Sequence, residues 1–174
     1  SNIYVSLFRG TPLVVQLFFW YFALPQLEIM GRRLILDPME AAILGFVLCS
    51  AAYHSEYIRG GLKSIKKGQL HAAQALGFSQ FKTLTNVILP QAIRRALPGC
   101  GNEIIYLIKY SSLAYIITFM ELTGQAKIIA TRTFKYTEAF IGVAIFYLVL
   151  VSVATILLRL MERALYVPGF GQKS

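Results

Sequence analysis

The sequence predicts an all-α integral membrane protein, built as a bundle of several membrane-spanning helices. Three observations carry this prediction. Apolar residues make up 56% of the 174 residues. Charged residues make up only 14%, whereas a soluble domain has about 25%. Residues 139–158 form a run without a single charge. Together these observations exclude a soluble globular domain, and they also exclude a disordered chain, which needs low hydrophobicity and high charge.

The run at residues 139–158 is the clearest membrane span, because about twenty helical residues measure roughly 30 Å, the thickness of the hydrocarbon core. Three other apolar runs are weaker. Two reach span length only when polar residues near their ends are included, and the third, residues 104–120, contains Lys109, Tyr110, Ser111 and Ser112 in its first half. We therefore predict four spans, at about residues 5–25, 39–58, 103–122 and 138–160. Polar groups at membrane depth normally face a bundle interior or a water-filled path. The weaker spans thus indicate a transport protein rather than a simple anchor.

Basic residues predict the orientation of the chain. The sequence has 17 Lys and Arg against 8 Asp and Glu, a formal net charge of +9. The interval 57–102 contains no acid and seven basic residues, namely Arg59, Lys63, Lys66, Lys67, Lys82, Arg94 and Arg95. By the positive-inside rule this interval, with its loop at about 59–100, is cytoplasmic, and the C-terminal tail lies on the same side. The connections 25–38 and 123–137 then lie outside, although they carry five basic residues.

The predicted loop has the pattern of two short helices rather than of irregular chain. Good helix formers fill residues 66–76, and Gly77 is the kind of residue that ends a helix. Ser79 offers a side-chain cap for a second helix. In that helix apolar residues recur at spacings of three and four, at Phe81, Leu84 and Ile88. We expect two prolines to end or kink it, namely Pro90 and Pro98.

Basic amphipathic helices of this kind have three interpretations. They can lie on the membrane surface, attracted to anionic lipid. They can bind nucleic acid, but aromatic residues do not alternate with the basic ones at matching positions, so nucleic acid is not an expected partner. They can also dock into a groove on another protein, and the small residues Ala72, Ala73 and Gly77 provide a smooth surface that suits docking.

The residues of this loop and its flanks resemble a known family. His71-Ala72-Ala73, followed by Gly77 and then by Val87-Ile88-Leu89-Pro90, is similar to the EAA loop of permease subunits of binding-protein-dependent ABC importers. Further motifs resemble the polar amino acid branch of that family, in this order: Arg9-Gly10-Thr11-Pro12-Leu13 with Gln16, Ala52-Tyr53 with Glu56, Arg59-Gly60-Gly61 with Ile65, Lys67-Gly68-Gln69, Leu89-Pro90-Gln91-Ala92, Pro98, Asn102-Glu103, Lys109 with Ser111-Ser112-Leu113, and Glu121-Leu122. The resemblance covers about residues 4–123, and the final span is less specific.

The resemblance implies a function and a set of partners. A chain of this family is a single transmembrane permease domain, here residues 1–174, of the type I ABC importer permease kind, in the lipid of the bacterial inner membrane. It pairs with a second permease chain, identical or related. It works with cytoplasmic ABC ATPase subunits and with an extracytoplasmic amino acid-binding protein. The permease itself is not an enzyme and carries no cofactor, because ATP hydrolysis belongs to the ATPase chains.

The resemblance also implies which residues couple the permease to its ATPase: His71, Ala72, Ala73, Gly77, Leu89 and Pro90. One of them departs from the family, since the first position of the loop motif is usually Glu and here is His71. A second departure concerns the start of the chain, because such permeases usually have a further span before Arg9-Gly10. We therefore expect this sequence to contain four of five helices and to lack the first.

Candidates for the substrate path lie on the third predicted span: Lys109, Ser111, Ser112 and Glu121. An α-amino acid carries an ammonium and a carboxylate, so a path that offers both signs of charge suits it. Glu121, at the outer end of the span, either binds the ammonium or is a solvated helix end. Lys109 either contacts the substrate or forms a structural ion pair with Glu103 or Glu56.

The main alternative is a secondary transporter or channel for a small polar solute, driven by an ion gradient, in which Glu56, Lys109 and Glu121 serve coupling. Such folds usually contain paired repeats, and the sequence shows no internal repeat. An enzyme has no support, since no phosphate-binding loop, nucleophile–base pair or metal cluster stands out. Cys49 and Cys100 fit no metal spacing and are interpreted as small buried thiols.

Overall fold

The chain folds into eight α-helices in the part that the computed structural model describes, residues 2–29 and 31–164. The helices are α1 (Asn2–Gly10), α2 (Leu13–Phe18), α3 (Pro38–Lys63), α4 (Lys67–Ala75), α5 (Gln80–Thr83), α6 (Leu89–Tyr110), α7 (Leu122–Thr133) and α8 (Tyr136–Ala164). Turns of π- or 3₁₀-helix extend them at Phe19–Ala23, Leu24–Gln26, Leu84–Ile88 and Ser111–Ile117. Two two-residue strands, β1 (Glu28–Ile29) and β2 (Arg32–Arg33), pair antiparallel. The predicted helical membrane fold is confirmed, and the C-terminal tail beyond residue 164 lies outside the described residues.

Two helices, α3 and α8, are each long and apolar enough to cross a membrane. Two bent pairs pass the same test when their halves are taken together. One joins Asn2–Gly10 to Leu13–Gln26, with an angle of 101° between them, and the other joins Gln80–Ile117 to Leu122–Thr133, with an angle of 54°. The described residues therefore contain two spans by length and composition, or four if each bent pair forms one span.

The first predicted span, residues 5–25, is not one straight helix. Pro12 is extended, with φ −62° and ψ 138°, and stands between α1 and α2. A proline ring clashes with the preceding helical turn, and proline also biases the residue before it away from the helical region. The chain consequently leaves α1 at Gly10 and restarts as α2 in a different direction.

Helix α3 begins at a complete capping box. Glu40 N donates to Asp37 Oδ1 at 2.8 Å, and Asp37 N donates to Glu40 Oε2 at 3.0 Å. These reciprocal bonds satisfy two of the backbone N–H groups that a helix start leaves free. At the other end Arg95 Nη1 donates to the carbonyl oxygen of Ser64 at 2.5 Å. The helix therefore extends to Lys63, five residues past the end predicted for this span at residue 58.

The prediction of two short helices in the loop is right for the first helix and wrong for the second. Helix α4 is short, but from Gln80 the helical path continues without a break to Ile117. Neither Pro90 nor Pro98 ends it. Just before Pro90 the π-helical turn shifts the hydrogen-bond register, so that Leu89 N donates to Leu84 O. The missing N–H of Pro90 thus falls where the regular ladder is already interrupted.

The third predicted span, residues 103–122, also changes form along its length. It lies in α6 as far as Tyr110 and then tightens to 3₁₀-helix. Thr118 adopts a left-handed conformation, with φ 67°, and ends the helix. Helix α7 then occupies most of the stretch 123–137, which the sequence predicts as a connection.

Small residues allow the helices to approach closely. Helix α3 packs chiefly against α6, and the buried cluster that joins α2, α3 and the end of the long helical path consists of Leu17, Ala41, Ala42, Ala114 and Ile117. Close packing through small side chains is the usual way in which membrane helices associate. Helix α8 lies along α6 and α7, and none of its residues is buried within the described chain. Its apolar surface is therefore left for lipid or for another chain.

Candidate functional site

A cavity of about 440 Å³ lies where the α1–α2 break meets α3 and α6. The break contributes Arg9, Gly10, Thr11, Pro12 and Leu13 to its lining, α3 contributes Cys49, Tyr53 and Tyr57, and α6 contributes Glu103, Tyr106 and Tyr110. The contributing residues of each helix are three or four positions apart, which places them on one helix face. Because α3 and α6 pack side by side, the two faces line the same cavity.

Glu103 is the most unusual residue of this cavity. Its side chain is only 4% exposed, and it makes no hydrogen bond or ion pair with any other described residue. A buried carboxylate without a partner is unfavourable. In membrane segments such groups mark binding sites and ion or substrate paths. Glu103 is therefore placed to receive a positively charged or hydrogen-bond-donating group from a ligand.

Arg9 supplies the opposite charge at the edge of the cavity. Its guanidinium carbon lies 5.0 Å from the ring centroid of Tyr53, within the range of a cation–π contact. Arg9 Nη1 lies 3.7 Å from Glu56 Oε2, and Arg59 Nε lies 3.0 Å from Glu56 Oε1. Glu56 is thus shared between two arginines. The cavity combines one acidic side chain, one basic side chain and several tyrosine rings.

The residues predicted for the substrate path have other partners in the structure. Ser111 Oγ donates to Ile108 O at 2.7 Å, and Ser112 Oγ donates to Lys109 O at 2.8 Å, so both hydroxyls bond their own helical path. Lys109 Nζ lies 4.3 Å from the ring centroid of Tyr106. Of the two interpretations of Lys109, the ion pair is not found among the described residues, where Glu103 has no ion-pair partner and Glu56 pairs with arginines.

Glu121 is the N-cap of α7. Its Oε2 accepts a hydrogen bond from Thr123 N and its Oε1 one from Gly124 N, each at 2.8 Å. Tyr147, in α8, donates to Oε2 at 3.1 Å. The carboxylate therefore caps the start of α7 and ties it to α8. Of the two interpretations of this residue, a place at a helix terminus fits these contacts better than an ammonium site, although the residue is half-buried and not fully solvated.

The sequence does not predict the cavity, although some of its residues belong to the motifs quoted above. Arg9 appears there only as part of a resemblance, and Glu103 as part of a resemblance and as a possible ion-pair partner of Lys109. The pairs Tyr53 with Tyr57 and Tyr106 with Tyr110 are each spaced by four residues, which would have placed two tyrosines on one face of each helix. What the sequence cannot show is that these two faces meet.

The second candidate site is the hairpin formed by α4 and α5, which we call the α4–α5 hairpin (residues 67–83). Helix α4 ends in a Schellman motif: Phe78 N donates to Ala73 O at 3.0 Å and Gly77 N donates to Gln74 O at 2.9 Å. Gly77 has φ +78°, a conformation that glycine adopts at little cost. Ser79 then accepts from Lys82 N at 3.3 Å and caps α5. The predictions that Gly77 ends the first helix and that Ser79 caps the second are confirmed.

The α4–α5 hairpin exposes large apolar side chains. Leu76 is 77% exposed and Phe81 is 74% exposed. The predicted coupling residues divide between two environments: His71, Ala72, Gly77 and Leu89 are exposed, Pro90 is half-buried and Ala73 is buried. Gln91 Nε2 donates to Gln69 Oε1, so α6 holds the base of the hairpin. Exposed apolar residues on a well-ended helix pair provide a surface on which another protein can dock.

The fold and these two sites are those of a helical membrane transport protein, with a polar cavity between its helices and an exposed apolar hairpin. Residues 1–166 match the sequence profile of a family described as "Binding-protein-dependent transport system inner membrane component". The chain belongs to this family.

Curated relatives in the family are amino acid permeases. The chain is 43% identical, over 168 residues, to the probable amino-acid permease protein YxeN of Bacillus subtilis (strain 168), and the match covers 97% of this chain and 74% of that protein. It is 42% identical, over 161 residues, to the glutamine transport system permease protein GlnP of Escherichia coli (strain K12), with 92% and 72% covered. The family therefore identifies the chain as an ABC importer permease for amino acids.

Two solved structures share its fold. One is described as an amino acid ABC transporter with histidines; it is 37% identical, has a TM-score of 0.85, and the match covers 94% of this chain and 74% of that one. The other is the MetNI methionine ABC transporter in an inward-facing conformation, with 20% identity, a TM-score of 0.76 and coverages of 95% and 74%; at this identity it shows the fold alone. The type I permease architecture is confirmed. Membership of this family implies ATPase and binding-protein partners and a membrane location.

Proposed function

We propose that this chain forms the translocation path for a polar amino acid in an ATP-driven importer, and that the α4–α5 hairpin couples it to a cytoplasmic ATPase. The observation that carries the proposal is the cavity between the α1–α2 break, α3 and α6. It presents an unpartnered buried carboxylate, Glu103, and a guanidinium, Arg9, among tyrosine rings. These are the complements of the ammonium and the carboxylate that every α-amino acid carries.

The energetics of Glu103 favour a cationic group as its ligand. An opposite charge brought next to a carboxylate in a medium of low dielectric gains far more than it would in water. The tyrosine faces around the cavity add cation–π attraction for the same group. Arg9 is less available, because it already lies near Glu56. We therefore assign the α-ammonium to Glu103 and the α-carboxylate to Arg9. On binding, Arg9 gives up its contact with Glu56 and contacts the substrate carboxylate instead.

The α4–α5 hairpin has the features of a coupling element. Leu76 and Phe81 are apolar anchors of the kind that fill a groove on a partner protein. His71 is exposed on α4 and stands where the family usually has Glu. The helical path that starts at Gln80 also carries Glu103. A rigid-body displacement of the hairpin by a closing ATPase pair is thereby passed to the cavity wall, which is the kind of transition that switches access. The coupling residues in this proposal are His71, Ala72, Ala73, Gly77, Leu89 and Pro90.

The arrangement of the assembly follows from charge and exposure. The basic residues of the interval 57–102 support a cytoplasmic position for the hairpin and for the C-terminus. The unburied apolar surface of α8 is available to lipid and to a second permease chain, identical or related. An extracytoplasmic binding protein delivers the amino acid at the opposite end, and the bacterial inner membrane is the setting in which these partners meet.

Reconstitution tests this proposal. The permease is placed in proteoliposomes with its ATPase and its binding protein, and uptake of a radiolabelled mixture of the twenty amino acids is measured with and without ATP on the hairpin side. We expect uptake only with ATP and only with the full set of partners. Uptake by the permease alone, driven by a sodium or proton gradient, would instead support the secondary transporter.

A further inference from the structure

A buried polar side chain bridges the break between α1 and α2. Gln16 lies one turn into α2 and is 7% exposed. The last carbonyl groups of any helix have no partners within it. Because the chain turns by 101° after Gly10, the N–H groups of α2 do not continue the ladder of α1. The end of α1 therefore needs donors from side chains, and Phe8, at its last turn, is itself buried.

Gln16 supplies these donors. Its Nε2 lies 2.9 Å from Phe8 O, 3.1 Å from Thr11 O and 3.0 Å from Thr11 Oγ1. Thr11 Oγ1 in turn donates to Leu7 O at 2.8 Å. One amide and one hydroxyl thus serve three carbonyl groups around the break. In a membrane, where water is not available to do so, leaving such groups without partners is costly.

The segment that Gln16 holds is also one wall of the cavity. Residues 9–13 line it, and Arg9 directly follows Phe8, whose carbonyl oxygen accepts from Gln16. The direction of the Arg9 side chain depends on the backbone at this point. A bend that loses its donors is free to change angle, and Arg9 then moves with it.

We propose that Gln16 is a positioning residue for transport: its amide holds the α1–α2 break at its angle and thereby keeps Arg9 at the cavity. This rests on the proposed function of the cavity. A residue present only for packing would be apolar here, because Gln16 Oε1 is buried without a hydrogen-bond partner in the described chain, which is unfavourable. The two N–H groups of the amide are what an apolar side chain of the same size lacks.

Three variants of the complete importer test the proposal. Gln16→Glu keeps the shape of the side chain but loses both N–H donors, and Gln16→Met keeps its length without polar atoms. Gln26→Glu makes the same chemical change at an exposed position near the end of the same bent pair. We expect ATP-dependent uptake of the amino acid mixture to fall about tenfold or more in both Gln16 variants and to remain unchanged in Gln26→Glu.

A distance measurement separates positioning from stability. Spin labels at Ile3→Cys and Phe22→Cys, both exposed, report the geometry of the break in a Cys100→Ser background, with the buried Cys49 left in place. We expect one narrow distance distribution in the parent chain and a shifted or broadened one in both Gln16 variants. Should a Gln16 variant fail to insert, Thr11→Val removes a single hydroxyl at the break and is measured in its place.

An unchanged distance distribution in the Gln16 variants overturns the proposal, even if their melting temperature is lower, since Gln16 would then contribute stability alone. Unchanged uptake despite an altered distribution overturns it too, because the bend would not matter to transport. If the parent importer moves no amino acid at all, the proposed function fails. The distance measurement then still decides whether Gln16 holds the break.

Discussion

Gly61 of α3 lies directly against the backbone of α6, so that a Cβ atom at position 61 would stand 2.5 Å from the carbonyl oxygen of Ala92. Backbone atoms cannot move aside as a flexible side chain can. The neighbouring Gly60 has no atom within 4 Å of a Cβ built in the same way. The two adjacent glycines therefore lie in different environments. Of the two, only Gly61 is needed for the close approach of α3 to α6.

This difference predicts opposite effects of one substitution at two neighbouring positions. Gly61→Ala overpacks the α3–α6 contact and should lower the free energy of unfolding by about 1–3 kcal/mol. Gly60→Ala, the control, adds a better helix former at an open position and should stabilise by up to about 1 kcal/mol. Thermal unfolding of the purified protein in detergent measures both. A melting temperature for Gly61→Ala at or above that of the parent would contradict the close approach.

Glu103→Gln should separate stability from transport. The substitution removes a buried charge that has no partner, so we expect an unchanged or higher melting temperature. Transport should suffer, because truncating one member of a buried charge pair costs about 2 kcal/mol or more, roughly thirtyfold in apparent affinity. Glu138→Gln, at an exposed position at the start of α8, is the control. Full uptake by Glu103→Gln would remove this residue from the substrate path.

Glu121 and Tyr147 should act together on stability and not on substrate affinity. Glu121→Ala removes the cap of α7 and should cost about 1–2 kcal/mol, and Tyr147→Phe removes one hydrogen bond worth about 1 kcal/mol. Since the two groups touch, the double variant should lose less than the sum of the single losses. An increase in the KM for the substrate in Glu121→Gln, with stability unchanged, would restore the interpretation of Glu121 as an ammonium site.

Gly77→Asp should leave membrane insertion intact and uncouple the ATPase. A φ of +78° strains any residue with a Cβ, and Asp adds a charge to the surface of the α4–α5 hairpin. Asn tolerates this conformation better, so Gly77→Asn should keep more activity. Gly68→Asp, at the start of α4 and without a positive φ, controls for the charge alone. The readout is ATP hydrolysis stimulated by the loaded binding protein, and parental stimulation in Gly77→Asp would exclude the hairpin from coupling.

Phe81→Ser tests the docking surface without disturbing the fold. The side chain is 74% exposed, so its loss should change the melting temperature little. If it fills a groove on the ATPase, its removal should weaken the association by about 2 kcal/mol or more. Phe134→Ser, at a residue 84% exposed at the end of α7, is the matched control. Equal retention of the ATPase by both variants during purification would show that Phe81 is not an anchor.

Whether a structural element can be predicted from the sequence depends on how far along the chain its determining residues act. The ends of α4 and α5 are predictable because Gly77 and Ser79 act within a few residues of themselves. The continuity of the helix through Pro98 is not, because proline disfavours the helix interior locally and only the packing of α6 against α3 overrides it. The break at Pro12 is masked by apolar residues on both sides, which look like one span.

The candidate sites divide in the same way. The α4–α5 hairpin is a local motif and can be predicted from consecutive residues. The cavity requires three separate segments to meet, and nothing in their spacing says that Arg9 and Glu103 line the same space. Glu121 misleads for a related reason: a carboxylate before a helix has the same appearance in sequence whether it caps that helix or binds a ligand.

The uninterrupted helical path from Gln80 to Ile117 is roughly 55–60 Å long at 1.5 Å per residue, longer than the bilayer is thick. A tilt of about 5° around one end displaces the other end by about 5 Å, close to one helical turn. The hairpin and the left-handed turn at Thr118 thus sit at opposite ends of one lever arm, with Glu103 between them. A small tilt of this path as a rigid body is thereby converted into a displacement of about 5 Å at its far end.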